Sequence, residues 1–201
     1  MIPILETPRL RLVPLTASDE ANLVALDSDP EVMRYVGSPP GVRTAAETAE
    51  RARLRIRETE RGAHEPLGFW RIEEREEGAF RGVGALIRMP EAEENRHGGK
   101  LDVNRPAEEP DVEIAYRLAR EAWGRGIATE AATALVAHAL GPLGLSRVVA
   151  VTYPDNQASQ RVLDKVGFAR EGFREYKGVR ATFHVLTSAA WAARSPGASV
   201  H

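Results

Sequence analysis

The chain of 201 residues is predicted to fold as one α/β domain, with a mixed, mostly antiparallel central sheet of about seven strands and helices on both faces. Two observations predict this class. Segments in which apolar and polar residues alternate, the period of a strand, are interspersed with segments of helical period. Neighbouring strand segments are often separated by short turn-like connections, which favour antiparallel pairing. Since no repeat or linker divides the sequence, we expect a single domain over 1–190 and a flexible tail at 191–201.

The first third of the chain is predicted to form one strand and three helices. Residues 9–15 alternate polar and apolar side chains, as in a half-buried strand. Thr16 or Ser18 caps the helix that follows, and a second, short helix begins after Asp29. Residues 44–61 favour a helix whose Arg and Glu side chains have the spacing of ion pairs, and we interpret this charge run as a solvated helix face.

The middle of the chain is predicted to form a hairpin, a further strand and a long helix. Strand-like segments at 66–73 and 80–89 are joined by a short connection, so we expect them to pair antiparallel. The polar segment that follows them, 90–110, is too long for an ordinary turn. It leads to a strand at 112–118 and then to a helix at 127–140, whose apolar residues recur four apart along one side.

The last third is predicted to add three strands and one helix. Residues 147–152 have the apolar character of a buried strand, and a helix opens at Asp155-Asn156. Strands at 169–176 and 180–187 flank a hairpin turn at 177–179.

The composition excludes several classes of protein. A formal charge of -2 and a pI near 6.2 provide no global field for a nucleic acid or an anionic membrane, so neither is expected as a partner. The absence of cysteine excludes a thiol nucleophile, and the five histidines lack the spacing of metal ligands, so no metal is expected. No segment approaches the roughly 18 apolar residues of a membrane span, and Met1–Leu10 lacks the features of a signal peptide. We therefore expect a cytoplasmic protein.

The most informative segment is a glycine-rich turn between a predicted strand and a predicted helix. Gly124 and Gly126 precede the helix at 127–140, where unpaired backbone N–H groups and the positive end of the helix dipole suit a phosphate or pyrophosphate. A purely structural turn has the same pattern, so this segment alone leaves both interpretations open. It lacks the third glycine of the dinucleotide motif and the Gly-Lys-Ser/Thr of the P-loop, which favours a phosphate without a bound metal.

Three sequence blocks, in order along the chain, resemble one known family. They are Glu6-Thr7-Pro8-Arg9-Leu10-Arg11-Leu12, then Glu113–Leu118 followed by Trp123-Gly124-Arg125-Gly126-Ile127-Ala128-Thr129-Glu130-Ala131, and Asn156–Phe168. Together they resemble the GNAT superfamily of N-acetyltransferases, and within it the Rim-type branch of ribosomal-protein N-terminal acetyltransferases. Trp123 departs from the Gln/Arg of the family's general acetyl-CoA motif but agrees with this branch. The resemblance implies the GNAT-type acyl-CoA N-acyltransferase fold.

The resemblance also implies acetyl-CoA as the acetyl donor and assigns its contacts. The edge of the strand would bind the pantetheine arm as an added strand does, the glycine loop would bind the pyrophosphate, and three backbone N–H groups at 114–116 would polarise the thioester carbonyl. The structural alternative for Asn156 is a helix N-cap. The implied cofactor-binding residues are Ile114, Ala115, Tyr116, Arg117, Leu118, Trp123, Gly124, Arg125, Gly126, Ile127, Ala128, Thr129 and Asn156.

Two catalytic residues are implied by the same resemblance. An amine is mostly protonated at neutral pH, so acetyl transfer needs a base, and Glu113 corresponds to the glutamate proposed as base in the Rim-type branch. Ser159 is implied as the proton donor to the departing thiolate, with Tyr116 and Tyr176 as alternative donors. The structural alternatives are an ion pair of Glu113 with Arg117 and a capping hydroxyl at Ser159.

The implied reaction is direct transfer of acetyl from acetyl-CoA to a primary amine in a ternary complex, without a covalent enzyme intermediate. The acceptor is either a protein N-terminal amine or a small-molecule amine, and a catalytically idle acyl-CoA-binding module would retain the same glycines. We expect the acceptor pocket between the helices at 19–35 and 44–61 and the hairpin at 177–179. A homodimer is left open.

The segment 90–111 carries a local negative charge just before the predicted catalytic strand. It holds seven carboxylates against three basic side chains, Arg96, Lys100 and Arg105. Because the segment leads into the strand with Glu113, it either steers a cationic amine to the site or is a solvated acidic loop without contact to substrate.

Overall fold

The computed structural model describes residues 2–61, 66–89 and 111–194, which form eight strands and six α-helices. The strands are β1 Leu5–Glu6, β2 Leu10–Pro14, β3 Gly68–Glu74, β4 Phe80–Arg88, β5 Val112–Leu118, β6 Arg147–Thr152, β7 Ala169–Tyr176 and β8 Val179–Thr187. The helices are α1 Glu20–Ser28, α2 Pro30–Met33, α3 Ala45–Arg61, α4 Ile127–Leu140, α5 Gln157–Val166 and α6 Ser188–Arg194. Short 3-10 turns at Ala17–Asp19 and Arg120–Ala122 precede α1 and α4.

The eight strands form one sheet in the order β1-β2-β3-β4-β5-β6-β8-β7. Each neighbouring pair is antiparallel except β5 and β6, which are parallel. The predicted mixed, mostly antiparallel sheet is therefore confirmed, with one strand more than expected. That strand, β1, is two residues long and pairs Leu5 with Leu12, so it is too short to show a period in the sequence.

Helices cover both faces of the sheet and enclose two apolar cores. On one face, α4 packs with the side chains that were predicted to recur four apart, and each of them is 2% exposed or less: Ile127, Ala131, Leu135 and Ala139. On the other face, Leu23 of α1 and Ile56 of α3 belong to a core that includes Phe69 and Val83 of the sheet. The amphipathic pattern of the helices therefore fixes which side of each helix meets the sheet.

One side of α3 is buried, so the interpretation of its charge run as a solvated face is wrong for that side. Arg55 is 6% exposed, and its Nη1 lies 2.5 Å from Oδ2 of Asp27 on α1. Arg53, in contrast, is exposed and pairs with Glu20, as expected of a surface ion pair. Arg51 lies four residues before Arg55, and the helical period therefore places both on the same side.

The C-terminal end differs from the prediction of a flexible tail from 191 onward, because residues 188–194 form α6. The rest of that tail and the acidic segment at 90–110 lie outside the described residues, so the expectations for them stay predictions. No helix of the described ranges is long and apolar enough to cross a membrane.

Candidate active site

The central sheet opens between its two parallel strands. β5 pairs with β4 over its whole length, from Leu118 with Gly82 to Val112 with Arg88. β5 and β6, in contrast, share a single registered pair, Glu113 with Val149. Beyond this pair the two strands diverge, which leaves one edge of β5 open.

Alternate residues of β5 direct their backbone groups to this open edge. Asp111, just before the strand, and Ala119, just after it, are hydrogen-bonded through their backbones to the residues that flank β4. Because hydrogen bonds in an antiparallel pair involve every second residue, the odd-numbered residues of β5 bond to β4. Of the three N–H groups predicted to polarise a carbonyl, that of Ala115 is therefore directed to β4, which corrects the prediction. Those of Ile114 and Tyr116 are directed to the other side, where Ile114 lies at the single registered pair with β6 and Tyr116 lies beyond it, at the opening.

A cavity of about 840 Å³ occupies the opening and reaches both the α4–α5 side and the α2–α3 side of the sheet. All the residues that the sequence predicted for the site line this cavity, with one exception. The exception is Arg125, whose guanidinium pairs with Glu74 of β3 at 2.6 Å. The strand, the glycine loop and the start of α5, which are separate in the sequence, are thus brought around one cavity.

The glycine loop presents free backbone donors to the cavity. Gly124 and Gly126 have φ angles of +72° and +78°, a left-handed conformation that side chains disfavour, and a Cβ at Gly124 would meet no atom within 4 Å. The first hydrogen bond of α4 runs from the N–H of Glu130 to the carbonyl of Gly126, and no side chain caps the helix. The preceding N–H groups, at 127–129, therefore lack helical partners and suit an anion. In the described residues, no group of three or more His, Asp or Glu is placed to hold a metal ion.

Residues of the N-terminal block hold this loop in place, a role that the sequence analysis missed. Arg9 donates from Nε to Glu130 at 2.6 Å and from Nη1 to the carbonyl of Arg125 at 3.0 Å. The hydroxyl of Thr7 also donates to Glu130, at 2.6 Å. The sequence did contain a signal of this contact, because Thr7 and Arg9 lie in the first of the three family-like blocks and Glu130 lies in the second.

The partner of Glu113 is a tyrosine and not the arginine of the structural alternative. The hydroxyl of Tyr176 on β7 donates to its Oε2 at 3.2 Å. Arg117 turns instead to Asp27, with Nη2 3.3 Å from Oδ1, so the alternative of an ion pair between Glu113 and Arg117 is wrong. Burial raises the pKa of Glu113, while the Tyr176 hydrogen bond and the charge of Lys177 act in the opposite direction. A raised pKa brings a carboxylate closer to the range that suits a general base at neutral pH.

Two hydroxyl groups meet in the cavity on the side of α5. The Tyr116 hydroxyl and Ser159 Oγ lie 3.0 Å apart, and burial raises the pKa of Tyr116 to about 12. Ser159 also donates its backbone N–H to Oδ1 of Asn156 at 3.2 Å. The helix N-cap considered for Asn156 is therefore present, although the residue lines the cavity as well.

The three segments predicted for the acceptor pocket meet at one wall of the cavity. Tyr35 follows α2, Arg51 lies on α3 and Lys177 lies in the β7–β8 hairpin, and all three side chains line the cavity. The hydroxyl of Ser38 donates to the carbonyl of Lys177 at 2.5 Å, which connects the loop after α2 to the hairpin.

A mixed sheet that opens between parallel strands beside a helix N-terminus defines the acyl-CoA N-acyltransferase fold. Consistent with this class, the sequence profile of the acetyltransferase (GNAT) domain matches residues 9–169. The chain belongs to this family, and the predicted family is confirmed.

Comparison with known proteins supports the same assignment. The chain is 34% identical to the uncharacterized N-acetyltransferase YoaA of Bacillus subtilis, over 88% of this chain and 89% of YoaA. It is 31% identical to the FsC-acetyl coenzyme A-N(2)-transacetylase of Aspergillus fumigatus, over 82% of this chain and 64% of that protein. The structure of RimL, a ribosomal L7/L12 alpha-N-protein acetyltransferase in complex with coenzyme A, has the same fold. Its TM-score is 0.68 at 20% identity, covering 92% of this chain and 98% of RimL.

The protein is accordingly an acetyl-CoA-dependent N-acetyltransferase. It binds acetyl-CoA and an amine acceptor and transfers the acetyl group to the amine.

Proposed function

We propose that the protein transfers acetyl directly from acetyl-CoA to a primary amine within a ternary complex, with Glu113 as the base. The observation that carries this proposal is the position of Glu113, which lies where the sheet opens and is held by the hydroxyl of Tyr176. The Rim-type sequence blocks and the fold shared with RimL support a protein N-terminal amine as acceptor. The similarity to the transacetylase of Aspergillus fumigatus supports a small-molecule amine as the second candidate.

The residues around the opening fit acetyl-CoA. When bound, acetyl-CoA supplies an activated acetyl thioester. The free N–H groups at the start of α4 would hold the pyrophosphate, and the open edge of β5 from Tyr116 onward would hydrogen-bond the pantetheine arm. Arg161 and Lys165 of α5 also line the cavity and add positive charge near these anionic groups. Asn156 keeps its side-chain N–H₂ for the pantetheine, because the N-cap uses only its Oδ1.

Glu113 would take the proton that the amine must lose. Its Oε2 accepts from Tyr176, which fixes the orientation of the carboxylate and leaves Oε1 for the amine, directly or through a water molecule. Since Glu113 lies on β5, as does the Tyr116 N–H that faces the opening, the base and the donor that would polarise the carbonyl share one strand.

Ser159 would return a proton to the departing sulfur. Its Oγ lies 3.0 Å from the hydroxyl of Tyr116, and both residues line the cavity. Tyr116 is protonated at neutral pH, because burial raises its pKa. As Ser159 gives its proton to the sulfur, the Tyr116 hydroxyl would pass a proton to Ser159 and take one in turn from water that enters the cavity. Ser159 is therefore the donor in this proposal, and Tyr116 orients it and supplies it with a proton.

Removing either hydroxyl should slow the reaction without preventing cofactor binding. We expect Ser159→Ala and Tyr116→Phe each to lower kcat by about 10²-fold, while the KM for acetyl-CoA changes little. Steady-state kinetics by thiol release would measure both constants. A loss confined to Tyr116→Phe would transfer the donor role to that residue, and normal kcat in both variants would contradict the proposed relay.

The proposed function itself is tested by a screen of acceptors. Purified protein with acetyl-CoA would be incubated with N-terminal peptides and with small amines, and release of the coenzyme A thiol would be followed against a control without amine. We expect amine-dependent thiol release and an acetylated product of the added mass. Binding of acetyl-CoA without transfer to any amine would contradict the proposal and favour the idle binding module.

A further inference from the structure

A buried cluster of charged side chains lies next to the part of the cavity that is predicted to bind the acceptor. Asp27 of α1 accepts from Arg55 of α3 at 2.5 Å and lies 3.3 Å from Arg117 of β5. The Asp27 side chain is 3% exposed, and those of Arg55 and Arg117 are 7% and 16% exposed. One carboxylate therefore faces two enclosed guanidinium groups.

Further arginines increase this imbalance of charge. Arg51 is an exposed residue of α3 that lies within range of the charges of Arg43, Arg55, Asp27 and Glu47, and partial desolvation followed by the charge of Arg55 lowers its pKa. Burial and then the charge of Arg55 also lower the pKa of Arg117, to about 10. Nε of Arg117 is buried and has no hydrogen-bond partner among the described residues. Positive charge thus exceeds negative charge within the cluster, and donor capacity is left over.

The excess positive charge borders the space that the acceptor must enter. Arg43, Arg51 and Arg117 all line the cavity that Glu113 lines. Glu113 and Arg117 point to the same face of β5, because they are an even number of residues apart, and the small side chain of Ala115 lies between them. Each is about 7 Å along the strand from Ala115. We call the arginines that line the cavity here, Arg43, Arg51 and Arg117, the cationic wall. A group placed over Ala115 therefore has Glu113 on one side and the cationic wall on the other.

This wall is separate from the part of the cavity that suits the phosphates of acetyl-CoA. Ala115 belongs to the apolar core of the α1–α3 face, and Arg117 shares its side of β5. The glycine loop starts α4, which packs in the core of the opposite face. The phosphates and the cationic wall would thus lie on opposite faces of the sheet.

We infer that the acceptor is an amine that carries a carboxylate in the same molecule, and that Arg51, Arg117 and Arg43 bind this carboxylate while the amine faces Glu113. The planar guanidinium group matches a carboxylate through paired hydrogen bonds, and Arg117 has donor capacity to spare. A polyamine, whose only charges are positive, would be repelled by the same wall. The inference rests on the proposed function and deepens it by naming the class of acceptor.

The test compares acceptors that differ only in the carboxylate. Each acceptor is assayed with the wild type and with variants in which one arginine of α3 is replaced. The acceptors are amino acids, the corresponding amino acid amides, and peptides with either an acidic or a neutral residue beside the N-terminal amine. Arg51→Gln removes one cation of the wall without touching the buried contacts of Asp27. Arg57→Gln is the matched control, because Arg57 is an exposed arginine of α3 that does not line the cavity.

The wild-type protein should have a higher kcat/KM for the acid than for its amide, and Arg51→Gln should lower this ratio about tenfold or more. Arg57→Gln should keep the ratio. A preference for acidic peptides over free amino acids would indicate that the arginines bind the carboxylate of an acidic side chain and not the α-carboxylate of an amino acid. Equal use of acids and amides by the wild type, faster acetylation of polyamines, or the same loss in both variants would overturn the inference.

A binding measurement separates failure of this inference from failure of the proposed function. If no amine is acetylated, titration calorimetry with N-acetylated amino acids still reports on the wall. Binding that is lost in Arg51→Gln and kept in Arg57→Gln supports the carboxylate site even then. Absence of binding to the wild type overturns it.

Discussion

Replacing Glu113 with glutamine is expected to lower kcat about 10²- to 10⁴-fold while acetyl-CoA still binds. The amide oxygen can accept the hydrogen bond from Tyr176, so the shape of the site is kept, but the amide cannot take a proton from the amine. Steady-state kinetics and a cofactor-binding assay would separate the two effects. Glu58→Gln, at an exposed glutamate of α3 that does not line the cavity, is the matched control and should retain the wild-type rate.

The raised pKa of Glu113 adds two expectations that depend on pH. The protonated, inactive carboxyl persists to a higher pH than an ordinary glutamate would allow, so the wild-type rate should fall as pH drops through this raised pKa. The folded-state pKa lies above the unfolded value, and the contribution of this group to stability is therefore present at low pH and lost as pH rises through the folded pKa. At neutral pH, Glu113→Gln should thus be at least as stable as the wild type in thermal unfolding. Near-normal turnover at neutral pH would remove Glu113 from the role of base.

Replacing Gly126 with glutamate is expected to abolish the stabilisation of the fold by acetyl-CoA. For the wild type, a hundredfold excess of acetyl-CoA over its Kd should raise the free energy of unfolding by about 2.7 kcal/mol. The new side chain would place a negative charge at the free N–H groups of α4, where the pyrophosphate is proposed to bind. Thermal unfolding with and without acetyl-CoA would measure the shift in Tm.

Gly144→Glu is the control for the backbone cost of that substitution. Gly144 has a φ of +65° and open space around a Cβ, and it does not line the cavity. Either substitution places a side chain in the left-handed region, at a cost of about 1–2 kcal/mol. Both variants should therefore be less stable than the wild type, but only Gly144→Glu should keep the shift in Tm. A normal shift in Gly126→Glu would contradict the assignment of the pyrophosphate site.

The sequence predicted those parts of the fold whose cause is local. The apolar spacing of α4 and the short hairpin connections depend on residues close together in the chain, and the structure confirms both. The burial of Arg55 was not predictable in this way, because its partner Asp27 lies 28 residues earlier and the charge run itself resembles any solvated helix. The pattern of residues within one helix does not indicate which charged side chains from distant parts of the chain will form ion pairs.

The same division applies to the candidate site. The motifs located the glycine loop and Glu113, and their order along the chain indicated the family. The partner of Glu113, Tyr176, lies 63 residues further on, at the end of a strand that β6 and β8 separate from β5 in the sheet. The sequence likewise placed three N–H groups of β5 in one role, although the register with β4 turns that of Ala115 away and the pair with β6 takes up that of Ile114. Such facts depend on pairing register, which the sequence of one strand does not contain.

The single pair of residues that joins β5 to β6 also determines where in the sheet an unpaired strand edge lies. Unpaired strand edges ordinarily lie at the rim of a sheet, where they can template pairing with other chains. Here an unpaired edge lies in the interior of the sheet, with α4 packed against β5 and α5 packed against β6. A strand that belongs to another sheet cannot enter the opening between these helices, because its own neighbouring strands would collide with them. A single extended chain, such as the pantetheine arm of acetyl-CoA, can enter. The opening therefore places a pairing-competent edge inside the sheet, where a ligand can reach it but a neighbouring sheet cannot extend it.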